Sequence, residues 1–186
     1  MVLLLVPGCT TLQRLAALQK VQFDLAGVSN GLVAGVDIDN ARTYGDLGYR
    51  DIARLGTAIA GGELPLSFTL DVAANNPADN PAAQLLQLDW TLFVDGTETV
   101  SGIFNDDRVI QPGQTATLPL AIELDLMRFF GNNLRDLADL ALNLAGAGGS
   151  PARLQLQAVP TVQTALGPIR YPGTITIDYT VGNTQP

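Results

Sequence analysis

The sequence contains no histidine and only one cysteine, Cys9. Histidine is the usual general base near neutral pH and a common ligand of zinc and iron, so its absence argues against those classes of site. A single cysteine cannot form an intramolecular disulfide. We therefore expect no metal site and no cofactor.

Basic residues are also few. The chain has 10 Lys and Arg against 18 Asp and Glu, which gives a formal net charge of −8 at pH 7, and Lys20 is the single lysine. Nucleic-acid binding requires a basic surface that contacts phosphates, and this composition does not supply one. We expect no nucleic-acid partner and an acidic surface that favours solubility and mutual repulsion.

Sequence motifs of common enzymes give no support for catalysis. The Walker phosphate loop and the dinucleotide fingerprint are absent. One Gly-x-Ser-x-Gly occurs, at Gly27–Gly31, but the chain has no histidine to act as the base of a serine hydrolase. Paired carboxylates can hydrolyse glycosides, but the nearest candidate, Asp89 beside Trp90, falls on the outward side of a predicted strand. We therefore predict no catalytic residue and no enzymatic activity.

The hydrophobic content of 47% with 15% charged residues is typical of a folded globule. Apolar residues alternate with polar ones along LSFTLDV, LLQLDWTLFV and TATLPLAIELDL, the period of half-buried β-strands. The residues predicted to face the core are Leu66, Phe68, Leu70 and Val72, then Leu86, Leu88, Trp90, Leu92 and Val94, and finally Leu118, Leu120, Ile122, Leu124 and Leu126.

Two turn signals separate these strands. Asp95-Gly96 suits a two-residue hairpin, because both central positions of a type I′ turn need positive φ. Pro112-Gly113 turns the chain again, and Asn105–Asp107 is predicted to form an acidic loop. Together the pattern predicts a mainly β fold, an Ig-like or fibronectin III-like antiparallel β-sandwich of about seven or eight strands with two inserted helices.

The helices are predicted at about 46–60 and 127–145. In the first, Gly48, Ile52, Leu55 and Ile59 share one helical face, which we expect to cover an open end of the sandwich. At the second, Met127, Phe129 and Phe130 could line an apolar groove between helix and sheet, although ordinary core packing explains them as well. The predicted domain spans 21–182, between a tether at 1–20 and a frayed tail at 183–186.

The amino terminus resembles a bacterial lipoprotein signal, because an apolar run leads to Val6-Pro7-Gly8-Cys9. The preceding run is short and lacks a basic residue, unlike a complete signal. The resemblance implies that Cys9 carries a lipid and tethers the domain to a membrane. The alternative is a terminus whose leucines pack on the sandwich.

The segments DVAANNP, LLQLDWTLFVDGTETVSGIF and VIQPGQTATLPLAIEL resemble the water stress and hypersensitive response (WHy) domain of the type 2 late embryogenesis abundant family. The matching family positions, to which the resemblance assigns a structural role, are Asn76, Pro77, Asp95, Gly96, Gly102, Pro112 and Gly113. A second Asn-Pro, within Asp79-Asn80-Pro81, departs from the pattern, since an Asn followed by a short apolar pair is usual there.

The resemblance implies a non-catalytic protein that shields labile client proteins or membranes during desiccation, cold or osmotic stress. With the lipoprotein signal it implies the cell envelope, as an outer-membrane lipoprotein facing the periplasm; the alternative is a cytoplasmic location. Two other functions stay open. One is a module that binds lipid or another apolar ligand, and the other is an adaptor that pairs through an edge strand.

Overall fold

A computed structural model of the chain describes residues 17–39, 44–130, 152–164 and 167–181. Cys9, most of the second predicted helix and the tail lie outside these ranges. The described strands are β1 (Gln22–Val33), β2 (Val36–Asp37), β3 (Pro65–Asn75), β4 (Ala83–Val94), β5 (Thr97–Ile110), β6 (Thr115–Asp125), β7 (Ala152–Thr164), β8 (Gly167–Arg170) and β9 (Ile175–Val181). Residues 17–20 are helical, and the helical elements after them are a 3-10 turn (Tyr44–Asp46), α1 (Tyr49–Gly61) and α2 (Leu126–Phe130).

The strands form two antiparallel sheets. Sheet A has the order β2-β1-β3-β6, and sheet B has the order β5-β4-β7-β8 with β9 pairing a different part of β7. Aliphatic side chains from both sheets form one buried cluster between them. The prediction of a mainly β, sandwich-like fold is confirmed.

The alternation correctly identified most of the core. Every residue predicted to face inward is buried except Leu86. Leu70, Val72 and Leu118 have no exposed surface, which places the centre of the core where β3 and β6 pair.

Leu86 was predicted on the wrong side of β4. The β4–β7 register shifts between Leu85 and Gln87, where β4 has one residue more than β7, so Leu85 is buried and Leu86 is only half-buried. A bulge adds a residue to the strand and reverses the side on which the following residues lie. The apolar phase of β4 therefore runs through Leu85 before the bulge and Leu88 after it.

The predicted acidic loop at Asn105–Asp107 is also wrong, because these residues belong to β5. The β4–β5 ladder continues on both sides of them, from the Gln87–Asn105 pair to the Leu85–Arg108 and Ala83–Ile110 pairs, with a register shift at Asp106 and Asp107. A cross-strand hydrogen bond holds one of the acids, because Gln84 Nε2 donates to Asp107 Oδ1 over 2.7 Å. Within β5 itself, Arg108 lies 2.5 Å from the Asp106 carboxylate.

Helix α1 forms near the predicted position, but its apolar face does not cover the end of the sandwich. None of its 13 residues is buried. Ile52 is 51% exposed and Ile59 is 40% exposed, whereas Leu55 is half-buried against the core. A helical period in the sequence defines an apolar face, but the rest of the chain decides which side of the helix meets the core.

Candidate functional site

The most tightly organised polar region is the corner between β3 and β4, formed by Asn76–Pro81. The side chain of Asn76 is fully buried. Its amide nitrogen donates to the carbonyl of Pro81 over 3.0 Å and to that of Ile110 over 2.8 Å. Asn76 directly follows β3 of sheet A, and its side chain bonds to the segment before β4 and to the end of β5, which are strands of sheet B. Asn76 therefore links the two sheets.

The Pro112-Gly113 turn closes on the same corner. The backbone N–H of Gly113 donates to the Asn76 carbonyl over 2.8 Å, and the N–H of Asn76 donates to the Gln114 carbonyl over 2.9 Å. Gly113 has φ of 73°, a left-handed conformation that glycine adopts without strain. Two of the segments that carry the family resemblance therefore meet in space.

Asn80, from the Asp-Asn-Pro that departs from the family pattern, lies at the centre of this corner. It is 2% exposed and donates to the Ala17 carbonyl over 2.7 Å and to Asn76 Oδ1 over 2.5 Å. A surface ion pair between Lys20 and Asp79, at 3.7 Å, adds a second link. Sequence reasoning missed this role; the one available signal was a second Asn-Pro only four residues after the first.

Asp95 and Gly96 form the tight turn between β4 and β5, with φ values of 48° and 81°. The turn also pairs with β7, because Asp95 Oδ1 accepts a hydrogen bond of 2.9 Å from the N–H of Arg153. The N–H of Asp95 in turn donates to the Arg153 carbonyl over 2.9 Å. Gly102 lies further along β5, directly opposite Trp90. The polar residues of this turn bond to the protein's own backbone.

An open groove of about 530 Å³ lies on the outer face of sheet B. At its floor, Arg170 lies 2.9 Å from Asp89, whose other carboxylate oxygen accepts a 2.5 Å hydrogen bond from Gln87. Asp89 is thus turned outward, as the alternation predicted. The groove is also lined by polar and apolar residues: Thr91, Ser101, Ile103, Gln157, Val159, Thr174, Trp90 and Gly102.

A second groove of about 620 Å³ lies between α1 and the start of β3. Arg54 and Glu63 border it together with Ala34, Ala58 and Pro65. This is not the predicted apolar groove. Of those groove residues, Met127 is half-buried against the core, while the side chains of Phe129 and Phe130 lie outside the described part of the chain.

Asp125 is the described carboxylate with a clearly displaced pKa. Its Oδ1 accepts hydrogen bonds of 3.0 Å from the N–H groups of Leu64 and Met127. The pKa of Asp125 lies below its usual 3.8, chiefly because of the hydrogen bond from Leu64. Hydrogen bonds from the backbone of Met127 and Arg128 also lower this pKa. This carboxylate starts α2 and ties it to the residue before β3, which is a structural role.

Within the four described ranges, no cluster of three or more His, Cys, Asp or Glu side chains could hold a metal ion. No helix in these ranges is long and apolar enough to cross a membrane.

No family model matches the chain, and no curated protein sequence matches it. Solved structures similar to it include a provisionally assigned late embryogenesis abundant (LEA) protein, 14% identical with a TM-score of 0.43, where the match covers 96% of this chain and 80% of that one. A protein from Arabidopsis thaliana is 14% identical with a TM-score of 0.45, over 63% of this chain and 70% of that one. A protein from Archaeoglobus fulgidus is also 14% identical, with a TM-score of 0.38, over 65% and 87%. At such low identities and TM-scores, these similarities carry no weight for function.

Proposed function

We propose that this chain is a non-catalytic stress-protection protein of the cell envelope, which shields labile proteins or membranes during desiccation, cold or osmotic stress. The observation that carries the proposal is how the side chains divide between the two sides of sheet B. Leu88, Leu92 and Leu156 fill the interior. Most of the alternate positions on the outside carry amides, hydroxyls and carboxylates, and Ile103 and Val159 are apolar exceptions. The stress context comes from the resemblance of the sequence to the WHy domain.

The outer face of sheet B is a connected polar surface. Gln157 Nε2 donates to Gln155 Oε1 over 3.1 Å, and Gln155 Nε2 donates to Asp178 Oδ1 over 2.9 Å. Asp89 extends the same surface across β4. These groups retain unused acceptor positions, because a carboxylate has about four lone-pair sites, and they can bind water or the polar surface of a neighbouring protein.

The net charge of −8 gives a physical mechanism for protection. Acidic molecules repel one another, so a layer of them at the surface of a client keeps other clients from aggregating with it. This mechanism needs weak contact with the client and no chemical step. It also predicts that protection weakens when salt screens the charges.

A freeze–thaw assay tests the proposal. We expect the purified chain to preserve the activity of a freeze-labile enzyme better than an equal mass of an unrelated folded protein. A variant with Asp89→Asn, Asp107→Asn and Asp178→Asn should protect less while keeping its unfolding midpoint within a few degrees. Equal protection by the unrelated protein would overturn the proposal.

The envelope location rests on Cys9, which lies outside the described residues. If Cys9 is lipidated, cells fed a labelled fatty-acid precursor should incorporate label into the chain, and a Cys9→Ser variant should not. Labelling that does not depend on Cys9, or no labelling, would favour the cytoplasmic alternative.

The ligand-binding alternative requires an apolar cavity. The space between the sheets is instead occupied by large buried side chains such as Leu70, Leu120 and Ile122, and both grooves described above lie on the outside of the fold. The adaptor alternative has one point in its favour, since β5 is an edge strand of sheet B as described. Native mass spectrometry of detergent extracts addresses both, because it would detect bound lipid or a stoichiometric partner.

A further inference from the structure

Helix α1 presents an apolar stripe to solvent. Six exposed positions on one side of the helix recur at the helical period and carry no charge; we call them the Tyr49 stripe, and they are Tyr49, Ile52, Ala53, Gly56, Ile59 and Ala60. Tyr49 is 95% exposed and Ile52 is 51% exposed. An amphipathic helix of a globular protein normally turns such a stripe toward the core.

The contacts of α1 with the sandwich hold it in this orientation. Leu55 and Ala58, on the opposite side, pack against the core. Arg54 Nη1 donates to the carbonyl of Gly35 over 3.1 Å, which ties the helix to the turn between β1 and β2. The outward stripe therefore follows from specific contacts on the other face of the helix.

Both ends of α1 are capped, so the helix does not need a further partner to form. At its start, the Gly48 N–H donates to Asp51 Oδ2 over 3.0 Å. At its end, Gly62 adopts the left-handed conformation, and its N–H donates to the Ile59 carbonyl over 3.0 Å. The stripe is thus preorganised for contact with an external surface.

The charge on α1 is opposite to that of the chain. The whole sequence has 18 acidic and 10 basic residues, whereas the helix carries two arginines, Arg50 and Arg54, and one acid, Asp51. Asp51 is half-buried on the side toward the sandwich, and Arg50 is exposed. Arginine beside an exposed apolar stripe is the arrangement of helices that lie in a lipid–water interface.

Tyr49 fits the same environment, because tyrosine has an apolar ring and a polar hydroxyl and favours the interface. Arginine can extend its charged end to lipid phosphates while its aliphatic stem stays in the apolar layer.

We propose that α1 lies flat in the headgroup region of an anionic lipid membrane, with the Tyr49 stripe toward the acyl chains and Arg50 at the phosphates. The contact goes beyond the proposed function, because it requires neither protection of a client nor a lipid on Cys9. If Cys9 does carry a lipid, α1 supplies the second contact that stable anchoring by one acyl modification usually needs.

The experiment uses the full chain with Cys9→Ser, so that no lipid can be attached. Binding is measured by co-sedimentation with vesicles of phosphatidylglycerol and phosphatidylcholine, and with vesicles of phosphatidylcholine alone. We expect binding to the anionic vesicles, reduced about three- to tenfold by Ile52→Ser. Ile103→Ser is the matched control, because Ile103 is 61% exposed but lies on β5, and it should leave binding unchanged. Arg50→Gln should weaken binding to anionic vesicles more than to neutral ones.

Depth is measured with Tyr49→Trp and brominated lipids. The indole at position 49 should be quenched by the bromine atoms, and the native Trp90 provides an internal reference because it is 6% exposed within the sandwich. The parent chain with Trp90 alone should show little quenching under the same conditions.

Several outcomes would overturn this inference: no binding to anionic vesicles, equal loss with Ile52→Ser and Ile103→Ser, or no quenching at position 49. Self-association without vesicles that Ile52→Ser abolishes would identify a second copy as the occupant instead. Protection of position 49 from aqueous iodide before lipid is added would mean that another part of the chain covers the stripe. If the chain protects an enzyme from freezing but does not bind vesicles, the proposed function is supported and this inference is refuted.

Discussion

Gly102 lies directly across the β4–β5 ladder from Trp90, and the indole ring occupies the space where a Cβ on residue 102 would stand. A Cβ built there would come within 2.8 Å of Trp90 Cε2 and nearer still to Cζ2. Glycine in a strand interior often marks such a close approach. The largest side chain of the core thus depends on the absence of a side chain on the neighbouring strand.

Gly102→Ala should therefore destabilise the fold by about 1–3 kcal/mol, the usual cost of forcing extra atoms into a packed core. Urea unfolding followed by Trp90 fluorescence measures the change. Gly56→Ala is the matched control, because no atom lies within 4 Å of a Cβ at that exposed helical position. This control should not lower the stability, since alanine is the better helix former. Equal effects of the two variants would contradict the structure.

Asn76→Ala should cost about 2–3 kcal/mol, because it leaves the carbonyls of Pro81 and Ile110 without their donor in a buried corner. Asn75→Ala, at the exposed neighbour, should change stability by no more than about 0.5 kcal/mol. Chemical denaturation of both variants provides the comparison. If Asn75→Ala lowered the stability as much as Asn76→Ala, the hydrogen bonds of Asn76 would not explain how β3 is held to β5.

The bulge in β4 can be tested with two adjacent leucines. Leu85→Ala should cost about 2–5 kcal/mol because the side chain is 1% exposed within the core. Leu86→Ala should cost about 1 kcal/mol or less, since Leu86 is only half-buried. Thermal and urea unfolding measure both losses of stability. A larger loss for Leu86→Ala than for Leu85→Ala would mean that β4 has no bulge and that Leu86 faces the core.

Asp125 should make the fold more stable above its usual pKa of 3.8 than below it. Its folded pKa is lowered, so the ionised form is favoured in the native state, and its contribution is present above 3.8 and lost as the pH falls through the lowered value. Asp125→Asn should accordingly be less stable than the native chain at pH 7, and the gap should narrow in strongly acidic solution. Unfolding at a series of pH values measures this, and a carboxyl NMR titration with a midpoint at or above 3.8 would refute it.

Sequence reasoning was most successful where the structure depends on local geometry. The core faces of β3 and β6 followed from alternation because side chains in a strand point to opposite sides. The Asp95-Gly96 turn followed from the few residues that accept positive φ at both positions. The prediction for Leu86 was wrong because the extra residue of β4 is evident only in its pairing with β7, and a pattern along one strand contains no record of it.

The sites of special interest were harder to foresee. The apolar period of α1 was evident, but the sequence could not show that Leu55 would meet the core while Ile52 and Ile59 stayed in solvent. Asn80 looked like a departure from a pattern, yet it bonds to Ala17, which is 63 residues away along the chain. In neither case do the neighbouring residues in the sequence identify the distant contact partner.

By itself, the amino-acid sequence determined the strands, the tight turns, the acidic charge and the identity of most core residues, because these depend on neighbouring side chains and backbone geometry. Only the tertiary structure decided which side of α1 faces solvent, where β4 changes phase and how the asparagine corner joins both sheets. Those features depend on contacts between distant segments, and such contacts exist only once the two sheets have packed together.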